Sequence, residues 1–297
     1  MKRIYIFFVF TLLVIILLPS FAFPERGIVV TEKRIALVIG NGDYRASHLA
    51  NPVNDANDIA VALERCNFTV MKKTNATRSE MRKAIRDFGN KIKGGGVGLF
   101  YFAGHGIQVN GQNYLVPIEA DVAMEDEVPD ECLMVSSVLR KMETAGNRLN
   151  IVILDACRNT PFGRSFRSGN RGLARMDAPT GSILAYSTAP GSVAADGSGR
   201  NGLYTSKFLE YIMTPGLEIG KLFRKVRFDV MVASEEKQIP WEESSIIGDF
   251  YFITLGEHVN INIHSTSPVT RIDDEEEMWL LIKGSEKIND YILFLEE

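Results

Sequence analysis

Residues 151–159, IVILDACRN, decide how the chain folds. Three β-branched residues and a leucine run straight into Asp155, Ala156, Cys157 and Arg158. A short apolar run of this kind reads as a buried strand, most often of a parallel sheet. Its polar residues then fall where the strand ends, and that edge of an open α/β sheet is where ligands bind. A cysteine there, flanked by Asp155 and Arg158, is placed to act as a nucleophile. The alternative is a buried packing thiol, because free cysteine is among the most buried residue types.

The neighbouring segments extend the pattern. Arg34–Ile39 (RIALVI) predicts a first strand running into the turn Gly40-Asn41-Gly42-Asp43-Tyr44. Asn54–Leu63 has helical apolar spacing, with Asn54 or Asp55 as a cap. Phe68–Met71 is a second strand. Thr77, with Glu80 three residues on, has the pattern of a capping box and opens a helix to about Lys93. Three glycines end it before a third strand, Val97–Phe102 (VGLFYF). Tyr114–Pro117 reads as a short extended piece, and Ser136 or Ser137 opens a helix to about Thr144. Ser182–Tyr186 is a fifth strand, helices follow at 203–213 and 217–233, and Phe250–Thr254 closes the sheet. Alternating strands and helices predict an α/β fold: a mostly parallel central sheet of about six strands with helices on both faces.

The ends differ from this body. Lys2 and Arg3 precede Ile4–Leu18, apolar except for Tyr5 and Thr11, and then Pro19-Ser20-Phe21-Ala22. That is the layout of a secretory signal covering residues 1–22, so export to a periplasm or the medium is expected. An uncleaved membrane anchor over residues 4–18 is the rival reading. Residues 32–255 form the predicted domain, 256–277 a linker and 278–297 a short C-terminal helical extension. The acidic run Asp273–Glu277 reads as a solvated linker in preference to a calcium site.

Composition narrows the function. Of 297 residues 45% are hydrophobic and 24% charged, as in globular proteins. Removal of residues 1–22, with two basic and no acidic groups, takes the net charge from −4 to about −6. A mildly acidic chain without a basic cluster is not expected to bind nucleic acid. Cys66, Cys132 and Cys157 are too few for a disulfide scaffold, and their odd number leaves a thiol unpaired. A Cys66–Cys132 disulfide stays open. No CxxC or HxxxH spacing points to zinc, so neither a metal nor a cofactor is expected. Lys93-Gly94-Gly95-Gly96 precedes a strand, whereas a phosphate loop follows one.

Two strand ends carry the chemistry: Tyr101-Phe102-Ala103-Gly104-His105-Gly106 and Asp155-Ala156-Cys157-Arg158. In a parallel sheet both lie on one edge, so an imidazole and a thiol can meet there. With these segments, and with IALVIGNGDY and Tyr186-Ser187-Thr188-Ala189-Pro190-Gly191, the chain resembles the caspase-like cysteine peptidases over residues 32–255. It is most similar to bacterial paracaspase-like proteins. The 52-residue interval from His105 to Cys157 suits that family. The resemblance implies Cys157 as nucleophile and His105 as acid/base. It also implies an oxyanion hole from the backbone N–H groups of Gly106 and Cys157.

Departures from the caspases bear on specificity. Caspases hold an aspartate at P1, the residue before the cleaved bond, with a Gln two before the nucleophile and an Arg after YSTAPG. Here Asp155 and Asp196 stand at those places, and by resemblance to paracaspases Asp55 is a third acid of the P1 pocket. Three carboxylates in one pocket call for a cation, which Arg or Lys of a peptide or protein substrate supplies. The structural alternatives are a helix cap for Asp55, a local hydrogen bond for Asp155 and a solvated turn for Asp196. Arg158–Thr180 adds Arg164, Arg167, Arg171 and Arg175 among small residues, either a solvated loop or a site of self-cleavage. The alternative to an endopeptidase is a catalytically silent binding domain of the same fold. The oligomeric state is not legible.

Overall fold

The computed structural model describes residues 32–45, 47–157 (of Cys157 the backbone), 162, 173–189 and 199–255. The predicted signal segment, the linker, the C-terminal extension, Arg158, Arg164, Arg167, Arg171 and Asp196 lie outside them. Among the described residues no helix is long and apolar enough to cross a membrane.

In chain order the elements are β1 (Arg34–Gly40), α1 (Pro52–Arg65), β2 (Thr69–Thr74), α2 (Arg78–Lys91), β3 (Val97–Val109) and β4 (Gln112–Leu115). Then come α3 (Val128–Glu131), β5 (Leu133–Met134), α4 (Val135–Thr144), β6 (Leu149–Cys157) and β7 (Ser182–Tyr186). The last are α5 (Leu203–Tyr211), α6 (Ile219–Ala233) and β8 (Trp241–Ser244). Six strands form the central sheet in the order β2-β1-β3-β6-β7-β8, parallel except for β8. β4 pairs antiparallel with the far end of β3, and β5 with β4.

Alternation along the strands sorts the two faces. Leu37, Ile39, Phe100, Phe102, Val152 and Leu154 pack beneath α2 and α4, which contribute Met81, Phe88, Val138 and Met142. On the opposite face α1 packs on β1 and β3, and α5 packs on α1 and α6. Tyr101 of β3 reaches into this second layer and bonds Thr205 of α5. The capping box at α2 is formed: Thr77 accepts from the Glu80 N–H, and the Glu80 carboxylate accepts from the Thr77 N–H.

The structure corrects several sequence expectations. Phe250–Thr254 does not close the sheet. The free edge of β7 is taken by Trp241–Ser244, a polar antiparallel strand. Tyr251 and Ile253 instead make single bridges to Glu218 and Pro215. Phe252 is buried against Phe68 and Phe208, and Arg34 donates to the carbonyls of Tyr251, Phe252 and Cys66. The apolar run thus marks a docked segment rather than a strand. The N-cap of α1 is Asn51, not Asn54 or Asp55, and Pro52 supplies the first turn. α4 opens at Val135 without a side-chain cap, ahead of Ser136.

β3 and β6 also run further than their apolar stretches. β1 stops with Gly40 opposite Ala103, and β7 with Tyr186 opposite Leu154. Beyond those points β3 and β6 continue together as a two-stranded extension through Gly104↔Ala156 and His105↔Cys157. His105 and position 157 therefore sit inside strands, past the ends of β1 and β7.

Candidate active site

His105 is held from three directions and is fully buried. Its backbone N–H donates to the Tyr44 hydroxyl at 3.0 Å, and that hydroxyl donates onward to the Val116 carbonyl at 2.9 Å. The Tyr44 ring leans on the imidazole, with centroids 4.5 Å apart. The ring's Nε2 lies 2.8 Å from the Ser47 carbonyl oxygen. A carbonyl only accepts, so Nε2 carries a proton, which leaves Nδ1 as the lone-pair nitrogen of the neutral tautomer.

The turn after β1 builds this support. Asn41 is fully buried; its amide donates to the carbonyls of Ala76 and Val116 and accepts from the Ala76 N–H. Asn41 and Tyr44 thus tie the turn to the segment following β4. Gly104 completes the fit with φ of +153°, where an added Cβ would stand 2.7 Å from the Tyr44 hydroxyl. The motif Gly40-Asn41-Gly42-Asp43-Tyr44 is the scaffold of the histidine, a role its sequence did not reveal.

The parallel register sets position 157 directly beside His105. Neighbouring strands lie about 4.8 Å apart, and residues in register share a face of the sheet. Gly106, next along β3, pairs with Leu115 of β4 and backs onto Ala156 and Leu173.

Two of the three predicted acids converge. The Asp55 carboxylate, from the first turn of α1, accepts the Gly202 N–H at 3.0 Å. Asp155, on β6, accepts from the Thr205 hydroxyl at 2.6 Å. A Cβ built on Gly202 would stand 3.3 Å from one Asp55 oxygen and 3.5 Å from one Asp155 oxygen. The two carboxylates therefore flank Gly202, the N-cap of α5, where the helix N-terminus favours negative charge. Asp55 is almost wholly buried and Asp155 partly exposed. α1 grips the same segment elsewhere. Asn54 donates to the Arg200 carbonyl, Asn201 donates to Asp58, and Arg200 pairs with Asp58 through two bonds of 2.9 and 3.0 Å. The Arg200 guanidinium holds the Asp58 carboxyl below its usual range. Nearby, the buried Gln238 donates to the Ser187 carbonyl and steadies the turn after β7.

Residue-by-residue reading missed the roles of Tyr44, Ser47, Tyr101, Gly202 and Thr205. Tyr44 and Tyr101 lay in motifs the sequence had marked, and Thr205 in a predicted helix, without a role assigned to any of them. Thr205 sits 50 residues from its partner, with no local pattern to flag it.

The remaining cysteines are packing thiols. Cys66 and Cys132 are buried and not joined to each other, so the disulfide left open by the sequence is not formed. Cys66 ends α1 against Met213. Burial pushes the Cys132 thiol up to about 12.

The downstream part of the arginine-rich segment is anchored rather than loose. Leu173 is buried in the core. Asn113 brackets Ala174 with two hydrogen bonds of 2.7 and 2.6 Å, and Arg175 is paired with Glu243.

Comparison with known proteins agrees with this architecture. The family model for the caspase domain matches residues 33–251. The chain is 33% identical over 130 residues to the mucosa-associated lymphoid tissue lymphoma translocation protein 1 of Homo sapiens, a stretch covering 43% of this chain and 15% of that protein. It is 31% identical over 135 residues to the Mus musculus homolog, covering 45% of this chain and 16% of that one. The chain thus matches only a small part of each curated relative.

Proposed function

The chain belongs to the caspase-domain family, and from that premise we propose that it is a cysteine endopeptidase cleaving peptide bonds after Arg or Lys. The observation that carries the proposal is the register of His105 beside Cys157, with the imidazole fixed by Ser47 so that Nδ1 presents the lone pair.

In the proposed cycle the Cys157 thiol loses its proton to His105 Nδ1 and its sulfur attacks the substrate carbonyl. The backbone N–H groups of Gly106 and Cys157 receive the developing oxyanion. His105 then protonates the departing amine, and the acyl group stays on sulfur. Water, deprotonated by His105, releases the acid and restores the thiol. Asp155, with Asp55 behind it, supplies negative charge for the P1 cation, and Asp196 is the third acid of the proposal. A segment holding Arg164, Arg167 and Arg171 offers the enzyme a substrate in its own chain. The N-terminal pattern supports export of this enzyme, or its anchoring to a membrane through residues 4–18.

The test is a fluorogenic panel differing only at P1, run on the full chain with Cys157→Ala and His105→Ala controls. Turnover at Arg and Lys that both controls abolish is expected. Turnover at Asp alone would overturn the specificity. Equal labelling of the wild type and Cys157→Ala by iodoacetamide, without turnover, would instead favour a silent binding domain.

A further inference from the structure

One buried polar chain ends on the proposed P1 pocket and has no other evident purpose. Tyr101 and Thr205 are both essentially inaccessible to solvent. The Tyr101 hydroxyl lies 2.5 Å from Thr205 Oγ1, and Thr205 Oγ1 lies 2.6 Å from Asp155 Oδ2. The direction of the bonds follows from proton counting. An ionised carboxylate only accepts, so the single Thr205 proton goes to Asp155. Thr205 Oγ1 must then accept, and Tyr101 donates. Burial first, then the charges of Asp155 and Asp55, push the Tyr101 phenol well above its ordinary range, so it remains a donor.

We propose that Thr205, backed by Tyr101, is a specificity-positioning residue that fixes the Asp155 carboxylate for recognition of a basic P1 side chain. This rests on the reading of Asp155 as an acid of that pocket. Two features of the site support it. Asp155 stands two residues before Cys157 and past the end of β7, paired with Ala103 of β3 on one side only, so the sheet constrains it less than the residues before it. Thr205 lies in the first turn of α5, whose start is tied to α1 through Gly202 and Asp55. A hydrogen bond to a charged group that is held in place on both sides adds geometric control as well as energy. The chain therefore couples the β3 core, α5 and the acid.

The experiment compares Thr205→Val, Thr205→Ser and Thr205→Ala with the wild type as full chains, on matched peptides with Arg or Lys at P1. For Thr205→Val and Thr205→Ala, KM for the Arg peptide should rise about ten- to hundredfold with kcat changed less than about threefold, the scale of one hydrogen bond to a charge. Thr205→Ser, which restores the hydroxyl, should return KM close to wild type. The rate of iodoacetamide alkylation at Cys157, which does not use the P1 pocket, should be the same in all four chains. Wild-type KM in Thr205→Val overturns the proposal. So does a Thr205→Ser chain as impaired as Thr205→Ala, or an alkylation rate that falls together with binding. A wild type that ignores both basic peptides removes the premise, and that outcome is read on the unmutated chain alone.

Discussion

His105 shows how far the placement of an imidazole is set by its neighbours. Its tautomer depends on one carbonyl, that of Ser47, and its backbone on one hydroxyl, that of Tyr44. Tyr44→Phe keeps the ring against the imidazole but strands a buried N–H. Stability should drop by about 1–3 kcal/mol in urea titration, and kcat should fall more than KM rises. Gly202→Ala places a methyl against two carboxylates at 3.3 and 3.5 Å; kcat/KM for basic peptides should decline while the far-ultraviolet circular dichroism is retained. Cys132 gives a pH signature. Its thiol is held in the neutral form, with the folded value raised from 9.0 to about 12. Because the unfolded chain releases this proton first, the contribution to stability is full below about pH 9 and is lost as pH rises toward 12. The difference in urea midpoint between wild type and Cys132→Ala should therefore shrink on going from pH 8 to pH 10.5.

Elements in this protein are joined by side chains acting at a distance from their own position in the chain. Arg34, the first residue of β1, donates to three carbonyls and lies over the rings of Phe68 and Phe250. A lysine cannot reproduce a planar fork that serves several acceptors. Both Arg34→Lys and Arg34→Met should lower stability, the latter by about 2–3 kcal/mol, and amides of 250–253 should lose hydrogen-exchange protection before those of β3. Thr77 works within one element. Thr77→Ala removes the capping bond to α2 and should cost about 1 kcal/mol, leaving activity on peptides unchanged.

Taken as a whole, the molecule was legible in its sequence where burial on both faces made the signal. β7 runs Ser182–Tyr186, the bounds its apolar run gives, and the parallel sheet follows from such runs. The apolar pattern loses its meaning where one flank of a strand opens. β3 and β6 continue through glycine, histidine and aspartate because their backbones go on pairing with one another, which side-chain hydropathy does not report. β8 escaped notice for a related reason. Trp241-Glu242-Glu243-Ser244 is an edge strand whose acids pair with Arg227 and Arg175, so it looks like a loop. Of the candidate site, the sequence named residues that the fold brings side by side: His105 and position 157 in register, and Asp55 and Asp155 about Gly202. Its supporting groups come from segments far apart in sequence and announce themselves only in three dimensions.

The bracketing of Ala174 by Asn113, with Leu173 seated in the core, has a consequence for any hydrolysis between residues 158 and 172. The upstream product would end beyond β6, and the downstream product would keep Leu173 in the core and Ala174 locked to β4. A nicked molecule should stay bipartite yet whole: two bands after boiling in detergent, one species by native mass. Separation of the halves without denaturant would mean that this latch does not hold.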